Sequence, residues 1–280
     1  MSVDHYENFP VASALCPPAL RAPIAAIYHF ARTADDIADE GDAAPAQRLA
    51  DLAQFRADLH SAVQLPPCAQ PHSGRWPGVF DALAIAVEKF ALPVPLLEDL
   101  LSAFTQDVGY NAEGRHYATR AELLDYCRRS ANPVGRLLLH LYGIHDATSL
   151  AQSDCICTAL QLINFWQDLS VDIPRGRFYL PLDACAAMNV SPHHLTTLSL
   201  TLDTTKLIAA EAQSARALML KGADLAKNIP GRAGWELRLV VQGGLRILDK
   251  MAAMNHATLQ TRPKLRWPDV LVMLWRAVWM

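Results

Sequence analysis

Three features of this 280-residue chain predict an all-α fold. Ala and Leu abound while β-branched runs are few, so intrinsic preference favours helix over strand. Apolar residues recur at helical spacing through most of the chain, and Pro and Gly clusters cut it into segments of ordinary helix length. At 51% hydrophobic and 19% charged, the composition is that of a globular protein with a sizeable core.

The elements follow in order. Residues from about 19 to 38 read as a helix carrying Tyr28, Phe30, Arg32 and the acidic run Asp35-Asp36-Ile37-Ala38-Asp39, and about 46 to 63 as a second. Pro66 to Pro77 is the clearest loop. Helical patterns resume near 78–90, 95–108 and 120–131. Asn132-Pro133-Val134-Gly135 then interrupts a pattern that continues to Tyr142, as expected of a proline kink or break. A segment from about 147 to 172 carries Gln161, Asn164, Asp168 and Asp172 and ends at Ile173-Pro174-Arg175-Gly176-Arg177. Further helices are expected near 203–227, 233–257 and 267–279. Neither internal repeats nor a domain boundary interrupts this order, so residues 1–280 read as a single domain.

The overall charge excludes some functions. A net charge of -3 and a pI near 6.3 leave no general basic field for nucleic acid. The six cysteines form no C-x-x-C pair and no zinc-like pattern with the histidines, and read as small buried hydrophobes in a reducing compartment. The N-terminus lacks a secretory signal, and no stretch approaches the roughly 20 apolar residues of a membrane span. A cytoplasmic protein is expected. The apolar tail from Asp269 to Met280 could touch the inner face of a membrane, but a docked core helix is the favoured reading.

The chemistry centres on the two acidic stretches. Asp35 and Asp39 lie one helical turn apart, while Asn164, Asp168 and Asp172 climb roughly 12 Å in one drifting stripe. Carboxylates on otherwise apolar faces need a cation, a wet cleft or arginines. Hard oxygen donors suit Mg2+ shared with phosphates, which suggests a magnesium-diphosphate site. A solvated acidic helix face is the plain alternative for either stripe alone. Arg32, one turn before Asp36, and Arg175 and Arg177, after the second stripe, are placed to receive phosphate. An ordinary helix ion pair for Arg32 and a surface turn for the other two stay open. Tyr6, Phe9, Tyr28, Phe30, Tyr126, Phe165, Trp166 and Tyr179 flank these motifs, as core or as π faces for a carbocation.

Taken together, the motifs resemble the phytoene and squalene synthases. The carriers are His5 to Phe9 with Pro17, Ala26-Ile27-Tyr28-x-Phe30-x-Arg32-x-x-Asp35-Asp36-Ile37-x-Asp39, Tyr126-Cys127, Gln161-x-x-Asn164-x-x-x-Asp168-x-x-x-Asp172, and Gly176-Arg177-x-Tyr179-Leu180-Pro181. The resemblance covers nearly the whole chain. It implies the isoprenoid-synthase helical fold with a central cavity, and Asp35, Asp39, Asn164 and Asp168 as principal Mg2+ ligands, with Asp36 and Asp172 completing the clusters. It implies that Tyr28, Arg32 and Gln161 hold diphosphate and the adjoining prenyl carbons, and that His5 and Asn8 fall where relatives contact a second diphosphate, with Phe9 beside them as a substrate-binding candidate.

Departures bear on the reaction. Gln167, a substrate-binding candidate, stands where phytoene synthases usually carry arginine, Asn132-Pro133 replaces a small-residue stretch, and Gly243-Gly244 sits where relatives place tyrosine. The segments around His5, Asp35, Asn132 and Asp168 look closest to the hydroxysqualene synthases of hopanoid biosynthesis. That resemblance implies presqualene diphosphate as substrate, water capture without NADPH, and partner enzymes before and after it in the pathway. A synthase condensing two prenyl diphosphates is the rival reading, and a non-catalytic scaffold relative a second.

Overall fold

The computed structural model describes residues 16–64, 72–229 and 231–280, and among these it contains helices and no strand. His5, Asn8 and Phe9, the N-terminal substrate-binding candidates, lie outside the described residues.

Four helices build the first core: α1 (Pro18–Asp39), α2 (Pro45–Val63), α3 (Val79–Phe90) and α4 (Val94–Glu113). Three of them, α1, α2 and α4, start with proline in the first turn, where the missing N–H has no intrahelical partner to lose. Phe30 of α1, Phe55 of α2 and Phe80 of α3 meet at its centre, fully buried, with ring centroids 4.7 to 6.3 Å apart. Phe30, a candidate cation stabiliser by sequence, is therefore core.

The second core gathers α5 (Arg120–Ser130), α6 (Asn132–Leu141), α7 (Ala147–Gln167), α11 (Leu202–Gly222) and α13 (Gly231–Ala253). Between them lie the one-turn α8 (Leu169–Asp172), the short α9 (Leu182–Ala187) and α10 (Pro192–Thr196), and α12 (Leu225–Asn228). Finally, α14 (Trp267–Val278) packs on α13. Thr119 and Asp146 cap α5 and α7 by accepting from the N–H groups of Glu122 and Ser149. Trp166 of α7, fully buried, is likewise core.

The two cores share α4 and α6. Leu97, Leu101 and Val108 of α4 face the first and Ala103 the second, while Leu137 and Leu141 of α6 face the first and Leu139 the second. The Asn132-Pro133 break lets α6 restart against α7. Asn132 accepts a hydrogen bond from the Thr158 hydroxyl at 2.9 Å. A Cβ on Gly135 would fall 2.4 Å from Ser153 Oγ and 2.5 Å from Cys157 Sγ, so glycine sets this close approach. Among the described residues, no helix is long and apolar enough to cross a membrane.

One expectation changes. The stripe from Asn164 to Asp172 is not one helix, because α7 ends at Gln167 and Asp168 leaves helical geometry at φ -102°, ψ 9°. The Asp172 N–H still donates to the Asp168 carbonyl at 2.9 Å, so the chain turns without losing the succession of carboxylates.

Candidate active site

The acidic run closing α1 and the acidic end of α7 and α8 face each other across the boundary between the cores. Arg177, in the stretch after α8, bridges them, 2.5 Å from Asp39 and 3.9 Å from Asp172. Gly176, at φ 80°, makes the turn that brings Arg177 back to the acids, where a Cβ would be strained. Arg32 lies 3.2 Å from Asp35, 2.7 Å from Asp36 and 3.0 Å from Glu40, an ion pair along its own helix. Arg175 stays exposed, beside Asp39, Glu40 and Gly41 at the rim. Tyr28 and Gln161 are half-buried one to two turns before the acids of their helices.

Charge balance is incomplete. Burial pushes the Asp35 and Asp172 carboxyls up to about 7, with further upward pressure from Asp39 and Asp168 respectively, against the pull of nearby arginines. Burial also raises Asp168, opposed chiefly by Arg262. Among the described residues, no three His, Cys, Asp or Glu side chains are gathered into one coordination group. Arginines share the carboxylates, and the two aspartate sets stand apart.

Behind the acids is an aromatic wall. Phe165 and Tyr179 stack with centroids 3.8 Å apart, and Tyr126 and Tyr117 adjoin them. An apolar cavity of about 120 Å³ lies farther along α7, lined by Ile24, Leu138, Leu139, Ile156, Ile229 and Leu237 among others.

Two residues that sequence reasoning missed belong to this site. Asp107 of α4 accepts a 2.5 Å hydrogen bond from the Tyr126 hydroxyl, and burial pushes its carboxyl up to about 8 despite that bond, with Asp39 and Asp35 adding repulsion. It is one of four acids in α4, beside Glu98, Asp99 and Glu113, and no local pattern set it apart from them. Arg262 grips Asp168 with two hydrogen bonds of 2.5 and 2.9 Å. No local pattern could have linked it to a residue 94 positions earlier.

Gln167 is placed differently from the expectation. It is buried and donates to the Pro263 carbonyl at 2.7 Å, so its reach is to the loop that presents Arg262 rather than to a substrate. Gly244 packs against the side-chain ends of Met219, Leu160 and Ile163, which a larger side chain there would have to displace. Among the described residues, a di-metal redox bundle is not built. It needs Glu-x-x-His ligands on facing helices, and Glu113 to His116 straddles the end of α4, where Gly114 turns left-handed and His116 stacks on Phe178.

Comparison with known proteins decides the family. The squalene/phytoene synthase family matches residues 3–269. The chain belongs to the squalene/phytoene synthase family. It is 34% identical over 249 residues to hydroxysqualene synthase of Sinorhizobium fredii, covering 89% of this chain and 79% of that protein. Phytoene synthase of Thermus thermophilus is 30% identical over 271 residues, 96% of this chain and 87% of that one. The crystal structure of squalene synthase HpnC from Alicyclobacillus acidocaldarius matches with a TM-score of 0.79 at 32% identity, covering 90% of each chain. The protein is thus an enzyme of this family with its all-α fold.

Proposed function

We propose that the protein is a hydroxysqualene synthase, converting presqualene diphosphate and water to hydroxysqualene and diphosphate. The observation that carries this reading is the opposition of two carboxylate sets, laced with arginine, in front of a buried aromatic wall. Similarity to three hydroxysqualene synthases, at 33 to 34% identity over 84 to 89% of the chain, supports the branch of the family.

The donors fit magnesium. They are hard oxygens, and burial, with repulsion from neighbouring aspartates, raises the Asp35 and Asp172 carboxyls, so a cation bound there would favour their ionised form. The lack of a three-acid cluster among the described residues is compatible with an ion that uses one or two carboxylates, phosphate oxygens and water. Asp35, Asp39, Asn164 and Asp168 would hold it, with Asp36 and Asp172 alongside. Bound magnesium would take up charge on the departing diphosphate.

The chain's own residues do the rest. Arg32, Arg177 and Arg262, at the acids on both sides of the cleft, supply further positive charge for the diphosphate. The carbon–oxygen bond breaks with its electron pair on the diphosphate, and a water oxygen bonds to the rearranged carbocation and releases a proton. Phe165, Tyr179 and Tyr126 present π density and exclude bulk water from the cation. The apolar cavity beside Ile156 accepts part of a prenyl tail.

Condensation of two prenyl diphosphates is the second reading, favoured by the nearly full-length similarity to a phytoene synthase. Incubating the purified protein and Mg2+ with farnesyl diphosphate or presqualene diphosphate separates them. Hydroxysqualene from presqualene diphosphate alone is expected, and rapid farnesyl diphosphate consumption without a partner enzyme overturns the proposal. A scaffold relative would turn over neither.

A further inference from the structure

α14 does not dock as the sequence pattern favoured. Only Asp269 and Ala277 of this helix are buried. Trp267, Leu271, Leu274, Trp275 and Val278, with Trp279 just beyond, share one face and are 45% to 77% exposed. A helix with this apolar stripe would ordinarily turn it inward. Here the opposite face is the anchored one: the Asp269 carboxylate meets Arg246 at 2.7 Å and Lys250 at 2.8 Å, both on α13. The burial of a charged anchor and the exposure of three indoles are therefore one arrangement.

The aromatic surface extends to α13. Arg238 lies 5.0 Å from the centroid of the Trp235 ring and donates to the Ala277 carbonyl at 3.3 Å, which places Trp235 beside the end of α14. All four exposed tryptophans among the described residues are on these two helices or just beyond α14.

We infer that this face seats on an anionic lipid surface, with α14 lying in the interface. Charge complementarity selects this occupant. Lys264 and Arg266 are exposed immediately before the helix, and its one acid, Asp269, is buried and neutralised. Clustered indoles have the apolar body and polar N–H that suit the headgroup boundary. A basic flank and a Trp- and Leu-rich face are the pattern of an interfacial helix.

The test uses the full chain and vesicles of phosphatidylglycerol with phosphatidylethanolamine, beside vesicles of phosphatidylcholine alone. Flotation with the anionic vesicles is expected, weakening as salt is raised. The Leu271→Glu/Trp275→Glu/Trp279→Glu variant, checked for native circular dichroism, should lose vesicle affinity by on the order of tenfold or more. Wild-type tryptophan emission should also be quenched by lipids brominated on their acyl chains, a readout that needs no variant. Absence of flotation and quenching, or equal flotation by the folded variant, overturns the inference. So does a vesicle-free dimer that the same substitutions dissociate, since a second copy would then be what covers the face.

Discussion

Asp172 should destabilise the ligand-free fold at neutral pH, and Asp172→Asn should relieve it. Its side chain is 13% exposed, and burial with the repulsion of Asp168 holds its carboxyl at about 7 against an ordinary 3.8. Between those two values the native state keeps a proton that the unfolded chain has released. Stability from this group is therefore present at low pH and lost as pH rises through about 7. A displacement of about three units corresponds to about 4 kcal/mol when the group is fully ionised. Sharing of the field with Asp168 and Arg177 lowers the expected gain to about 2–4 kcal/mol near pH 8. Only the roughly two units between pH 5 and about 7 act across this range, at most about 3 kcal/mol, so at a few degrees per kcal/mol for a domain of this size the melting-temperature difference should rise by roughly 2–8 °C from pH 5 to pH 8. Taking the variant minus wild type cancels the opposite trend of His116 and His256, whose depressed values make the fold lose stability as pH falls. Thermal unfolding in chelator across this pH range measures it, and adding Mg2+ with inorganic diphosphate should stabilise wild type more than the variant. A variant difference that does not change with pH, or that becomes less favourable to the variant at pH 8, refutes the reasoning.

Three further substitutions probe the architecture. Arg262→Met frees Asp168 from its two hydrogen bonds and removes a cation from the cleft. Turnover should fall on the order of 100-fold, while the Mg2+ concentration for half-maximal rate should not increase; an increase would make Arg262 an aid to metal binding rather than its competitor. Gln167→Arg puts a larger charged group at a position 2% exposed and breaks the bond to Pro263, so the melting temperature should drop along with activity. Unchanged stability would return Gln167 to the open site. Gly135→Ala forces α6 from α7 and should lower stability by about 1–3 kcal/mol in denaturant titration, whereas unaltered stability would mean the approach is loose.

What was legible in the sequence was local. The main helices appear near their expected positions because their apolar spacing and proline starts act within one or two turns; α1 and α2 match to within a residue or two. The short α9 and α10 were not legible, since helices this short carry too little periodicity to register. The acidic runs located the cleft, and the same logic placed Arg32 and Arg177 at the acids. Arg262 and Asp107 came from elements distant in sequence, brought in by packing. α14 shows the opposite failure: its apolar stripe was legible, but the pattern could not tell which face the Asp269 bridges would hold against α13.

Under the proposed function, water ends the reaction of presqualene diphosphate in this cleft. Purified protein, Mg2+ and presqualene diphosphate, incubated in water enriched in heavy oxygen without NADPH, test it by mass spectrometry of the product. Hydroxysqualene carrying the heavy oxygen in its hydroxyl group is expected. Hydroxysqualene without the label, or no consumption of presqualene diphosphate beside active condensation of farnesyl diphosphate, would contradict it.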